Sequence, residues 1–152
     1  MKISRFSPLL IGLIVFAIYS CNRFEDQEGN NPIPSDSSHF YFQKAQEVEK
    51  YQDKLYNLNK SLAFVKNNSD SLYPKVLDFK IYYHNRLKQY DSSLFYANRL
   101  GDIAKAQHDT SYMATGYYRK AVVYRYTTKP EKTTENSLKS RVYYRQLCDS
   151  TR

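Results

Sequence analysis

Shifted against itself by 39 residues, the 152-residue chain pairs like with like along much of its length. Tyr51 meets Tyr90, Leu55 meets Leu94, Tyr56 meets Phe95, Asn59 meets Asn98 and Lys60 meets Arg99. Further on, Asp70 meets Asp109, Ser71 meets Thr110, Tyr73 meets Tyr112, Lys80 meets Arg119 and Arg86 meets Arg125. A third copy follows at a shift of 40, where Asp109-Thr110 corresponds to Asp149-Ser150. Periods of about 20 to 50 residues mark stacked supersecondary units, each unable to bury its own apolar face alone.

Within each unit the apolar residues advance by three or four, as an amphipathic helix requires. Leu72, Val76, Phe79, Tyr83 and Leu87 form one such stripe, and Tyr90, Leu94, Ala97, Gly101 and Ala104 form the next. Leu55, Leu58, Leu62 and Val65 repeat the pattern upstream, Ala114, Tyr117, Ala121 and Tyr124 downstream, and a last helix is expected over about 131–147. The Asp-Ser and Asp-Thr pairs at 70 and 109 fall where new units begin. A short oxygen-bearing side chain there caps the unpaired amides of a starting helix. Pro74 suits a first turn. No alternating strand pattern of useful length is present, so the reading is all-α, with two helices per unit.

The segment "KQYDSSLFYANRL", Lys88 to Leu100, resembles the turn and second helix of a tetratricopeptide (TPR) repeat, with Ser93 and Ala97 as its small packing residues. The period exceeds the family's usual one, Ile81 stands where the family prefers glycine or alanine, and Leu100 replaces a small residue. The resemblance implies a right-handed TPR-like helical-hairpin solenoid of about three repeats over 38–152. HEAT-type repeats are the structural alternative.

Ahead of the repeats, Lys2 and Arg5 precede an uncharged run from Pro8 to Tyr19. That run is too short to span a bilayer and fits the apolar part of a secretory signal. Ile18-Tyr19-Ser20-Cys21 resembles the lipobox of bacterial lipoproteins, which implies cleavage after residue 20 and a lipid anchor such as palmitate on Cys21. Several acyl chains, at about 0.8 kcal/mol per buried CH₂, hold a protein at a membrane durably. Gly29, Asn30, Asn31, Pro32, Pro34, Ser35, Ser37 and Ser38 make a stretch unable to bury a core, and the tether is placed over 21–37. With Cys21 lipidated there is no disulfide framework, and Cys148 is expected as a small core residue.

The chain carries a net +8, or +6 once Lys2 and Arg5 leave with the signal. Nine of the Lys/Arg residues lie from Thr110 onward, interleaved with tyrosines. Such a patch can grip phosphate and stack bases, but export argues against nucleic acid, and a solvated helix face is the more economical account. His39, His84 and His108 are scattered without metal-ligand spacing, and no phosphate loop, nucleophile elbow or Cys-x-x-Cys occurs. The expectation is therefore no enzyme, no cofactor and no metal.

The ensemble is similar to the exported amino-terminal region of TPR-containing sensor histidine kinases, which implies a part in signal transduction. The end of the chain at a new repeat's threshold suggests an interrupted or truncated gene product. The expected function is a protein-protein interaction module lipid-anchored in the bacterial cell envelope, at the outer membrane or on the periplasmic side of the inner one. Its ligand would be a protein or peptide on the concave surface, with Lys80, His84, Arg119 and Arg125 as candidate contacts. A glycan- or nutrient-binding lipoprotein of the SusD-like type is the alternative, weakened by the lack of tryptophan.

Overall fold

Helix after helix is stopped in this chain by the same backbone device. The computed structural model describes residues 37–65 and 70–150, and these form six helices with no strand. They are α1 (Ser37–Glu47), α2 (Tyr51–Phe64), α3 (Leu72–Arg86), α4 (Tyr90–Ala106), α5 (Thr110–Tyr126) and α6 (Pro130–Ser150). The signal, Cys21 and most of the proposed tether lie outside the described residues.

After α3, α4 and α5 the chain turns on Lys88, His108 and Thr128, whose φ angles are 59°, 53° and 55°. In each case the next amide reaches back five residues: Gln89 N–H to the His84 carbonyl at 2.9 Å, Asp109 to Ala104 at 2.8 Å, Lys129 to Tyr124 at 3.0 Å. This is the Schellman closure, which satisfies carbonyls that the helix end leaves unpaired. The three turns are spaced twenty residues apart, half the period found in the sequence.

The helix starts are less uniform. Asp109 caps α5 by accepting the Tyr112 amide at 2.9 Å, and Asp70 accepts the Leu72 amide at 2.9 Å ahead of α3. Asp149 does not play that part. It lies inside α6, which continues to Ser150 and so past the expected end at 147. At the other end, α1 begins at Ser37, a residue assigned to the tether on composition. Ser37 and Ser38 are buried there, and Ser61 of α2 donates its hydroxyl to the Ser38 carbonyl at 2.8 Å.

Successive helices pack in chain order, as the pairs α1 with α2, α3 with α4 and α5 with α6, and each pair rests on the one before. In addition α3 touches both α1 and α5. That central position explains its sequence. One stripe, Leu72, Val76 and Tyr83, joins Ala45, Leu55 and Leu58. A second, Tyr73, Leu77 and Ile81, joins Ala97, Leu100 and Ile103. Each fully buried Leu or Ile contributes about 1.5–3 kcal/mol. Ser93, also buried, lets α4 approach α3 closely enough to donate its hydroxyl to the Ile81 carbonyl at 3.0 Å.

α6 packs on α5 and leaves its outer side open, so Leu138 and Val142 are exposed. Cys148 is exposed as well, contrary to the expectation that it fills the core, because among the described residues its helix has a neighbour on one side only. Among the described residues no helix is long and apolar enough to cross a membrane.

Candidate functional site

The shift of 39 pairs Lys80 with Arg119, yet the two side chains go to different places. α3 and α5 close on the same turn at Lys88 and Thr128, a shift of 40. The buried positions agree: Pro74 with Ala114, Val76 with Gly116, Ile81 with Ala121, Tyr83 with Val123. The structural counterpart of Lys80 is therefore Lys120. One residue along a helix turns the side chain by about 100°, so Arg119 faces another way.

Lys80 is not a surface cation. It is 2% exposed, its Nζ donates to Asn59 Oδ1 on α2, and the ammonium sits 4.1 Å from the Tyr96 ring of α4. A buried cation needs such partners to offset its lost hydration. One turn along α3, His84 stacks on the same ring at 5.3 Å and 13°, with Nδ1 2.7 Å from Gln89 Oε1. Burial holds the imidazole below its ordinary pKa of 6.5; the Gln89 hydrogen bond works against that, and the Lys80 charge adds to it. Lys80, expected to face a partner, is thus buried where α2, α3 and α4 meet, while the half-buried His84 packs on α4 beside it.

Arg119 makes a two-pronged contact with Asp78 of α3, Nε to Oδ1 at 2.7 Å and Nη2 to Oδ2 at 2.9 Å. The guanidinium also lies over Tyr82 at 5.7 Å and Tyr118 at 6.0 Å. Burial by itself lowers its pKa, but the hydrogen bonds and charge of Asp78 outweigh that and raise it. The phenols of Tyr118 and of Tyr144 on α6 act in the same direction. Arg125 is exposed near the end of α5, 5.4 Å from the Tyr126 ring. The four candidates therefore do not converge: two brace one junction, one bridges α3 and α5, and one faces solvent.

The tyrosines around Arg119 do converge. Doublets occur at 82–83, 117–118 and 143–144, and in each the second or first ring packs inward while its neighbour is exposed. Tyr82, Tyr118 and Tyr144 are 37%, 51% and 43% exposed. They frame the Asp78–Arg119 pair with ring faces and hydroxyls from three helices. Such amphipathic rings supply large contact areas with few rotors to freeze, as in protein interfaces. The doublets were readable in the sequence; which ring of each faces out was not.

Comparison with protein-family models, with curated proteins and with solved structures returns no significant match. Over the described residues the geometry defines an all-helical fold with an exposed tyrosine patch built on an ion pair between α3 and α5.

Proposed function

We propose that the chain is a TPR-like interaction module, anchored to a bacterial envelope membrane through lipid on Cys21, that binds a protein or peptide segment. The carrying observation is the contact of α3 with both α1 and α5: the first helices of successive hairpins adjoin, as they would along one wall of a right-handed solenoid. Tyr82, Tyr118 and the Asp78–Arg119 pair are the part of that wall best furnished for a partner, with Tyr144 of α6 beside them. The role of Arg119 is to hold the tyrosines in place, and Arg125, exposed near the end of α5, is a cation open to a partner's acidic group.

The test is capture of peptides from an array by the full chain, with immobilised glycans alongside. The double variant Tyr118→Ser/Tyr144→Ser should lose at least about tenfold in affinity, since interface anchors commonly cost 1–2 kcal/mol or more on truncation. Its helical circular dichroism should not change. Undiminished peptide capture by the variant, or capture of glycans alone, would defeat this reading. For the anchor, Cys21→Ala should abolish labelling by a fatty-acid probe; persistent labelling would place the lipid elsewhere.

A further inference from the structure

Gly101 and Gly116 sit inside α4 and α5, where glycine is the poorest helix former after proline. Their counterparts at the preceding junction are Leu62 of α2, 39 residues before Gly101, and Val76 of α3, 40 before Gly116. Leu62 packs against the cluster that holds Val76. At the second junction both side chains are missing. A Cβ on Gly101 would meet nothing within 4 Å, and one on Gly116 would have the backbone of Ala97 and Gly101 as its nearest neighbours, in ordinary contact at 3.5 Å. What remains is a cleft of about 250 Å³ between α4, α5 and α6, walled by Asp102, Lys105, Tyr117, Lys120 and Tyr143.

The charges in this cleft do not balance. Lys105 and Lys120 face one carboxylate, Asp102. Lys139 approaches the Tyr117 ring at 5.6 Å but is held by Glu135 at 2.6 Å. Lys120 is half-buried and lies 5.3 Å from the same ring, with no hydrogen bond or ion pair among the described residues. Lys80, its counterpart, has Asn59 Oδ1 as acceptor. The two junctions thus differ: the lysine donates to Asn59 at the first, whereas at the second the matching Asn98 is exposed and outside the cleft, and Lys120 has the charge of Asp102 nearby but no hydrogen bond among the described residues.

We propose that the cleft binds a singly charged carboxylate on a flat or apolar body. Its oxygens occupy at Lys120 the place that Asn59 Oδ1 takes at Lys80, and Lys105 adds a second attraction. The body lies on the glycine floor against the parallel rings of Tyr117 and Tyr143, which stack at 5.7 Å and 5°. One excess positive charge in the lining matches one negative charge in the ligand. The site is on a different side of α5 from Arg119, so it stands or falls independently of the tyrosine patch.

The test follows the Gly101 and Gly116 amides by NMR in the full chain, held in detergent micelles, as benzoate or an N-acetylated Phe-Glu-Phe amide is added. Saturable shifts with benzoate assign a small-molecule site. Shifts with the peptide alone assign the acidic side chain of a partner segment, and no saturable shift with either overturns the proposal. Lys120→Gln should weaken binding roughly tenfold or more, the usual scale for a hydrogen bond to a charged group. Gly101→Leu, which restores the filling of the first junction, should abolish binding while the melting temperature holds or rises. If that variant fails to fold, Lys105→Gln and Lys120→Gln carry the test; binding unchanged in both would also overturn the site.

Discussion

Lys88, His108 and Thr128 occupy a backbone region that costs a side-chain-bearing residue roughly 1–2 kcal/mol. Thr128 is the worst placed, being β-branched. Thr128→Gly should therefore raise stability by roughly 1 kcal/mol in urea titration, less the extra freedom glycine gains when unfolded. A loss of stability would mean that the Thr128 hydroxyl bond to the Thr127 carbonyl, 2.8 Å, matters more than the backbone strain. The twenty-residue spacing went unread in the sequence because Lys, His and Thr share no chemistry; only the conformation recurs. His84 gives a second residue-level prediction. Its folded pKa is lowered, first by burial, so the folded state favours the neutral ring. Its contribution is complete above about pH 6.5, the unfolded value, and is lost as the pH falls toward the lower folded one. The drop in melting temperature between about pH 7.5 and about pH 5.5 should shrink in His84→Phe; an unchanged drop would assign the acid sensitivity to other groups.

At the scale of the element, Asp109 is the best-defined start signal, and Asp109→Ala should cost about 1 kcal/mol. No cap bond is lost at Lys50 or Gln89, which precede α2 and α4 without one, although Gln89→Ala also removes the hydrogen bond to His84 Nδ1. Thermal melts of the three alanine variants would separate these cases. Asp70 and Asp109 were legible because capping is local chemistry, a short acceptor within reach of two or three amides. The same pair misled the alignment by one residue. Asp109 lies one residue earlier relative to the packed face of α5 than Asp70 does relative to that of α3, so matching the caps mismatched the cores. The length of α6 was also only partly visible: nothing at 147 obliges the helix to stop, and it runs on through Asp149.

For the molecule as a whole, stability should concentrate where α3 meets its neighbours. Leu77→Ala or Leu100→Ala, both at fully buried positions, should cost about 2–5 kcal/mol, whereas Leu138→Ala on the open side of α6 should stay within about 0.5 kcal/mol. Similar losses at all three sites would mean that α6 is covered in solution. Charge reversal divides the basic residues in the same way. Arg119→Glu sets a carboxylate beside Asp78 and should lower the melting temperature clearly, while Arg125→Glu should leave it nearly unchanged.

The sequence by itself determined that the described part of the chain is helical, where most helices lie, and that they recur at 39 to 40 residues. Those properties rest on apolar spacing and capping, which act between residues a few positions apart. The tertiary structure decided which of two adjacent residues looks inward. Tyr83 packs and Tyr82 does not; Lys80 is buried with Asn59 while Arg119 pairs with Asp78. A step of one residue rotates a side chain by about 100°, and only the neighbouring helices say which direction is covered. The cleft was hidden for the same reason: Gly101 and Gly116 are isolated glycines in the sequence, and they leave a cavity only because α4 and α5 bring their two missing side chains together.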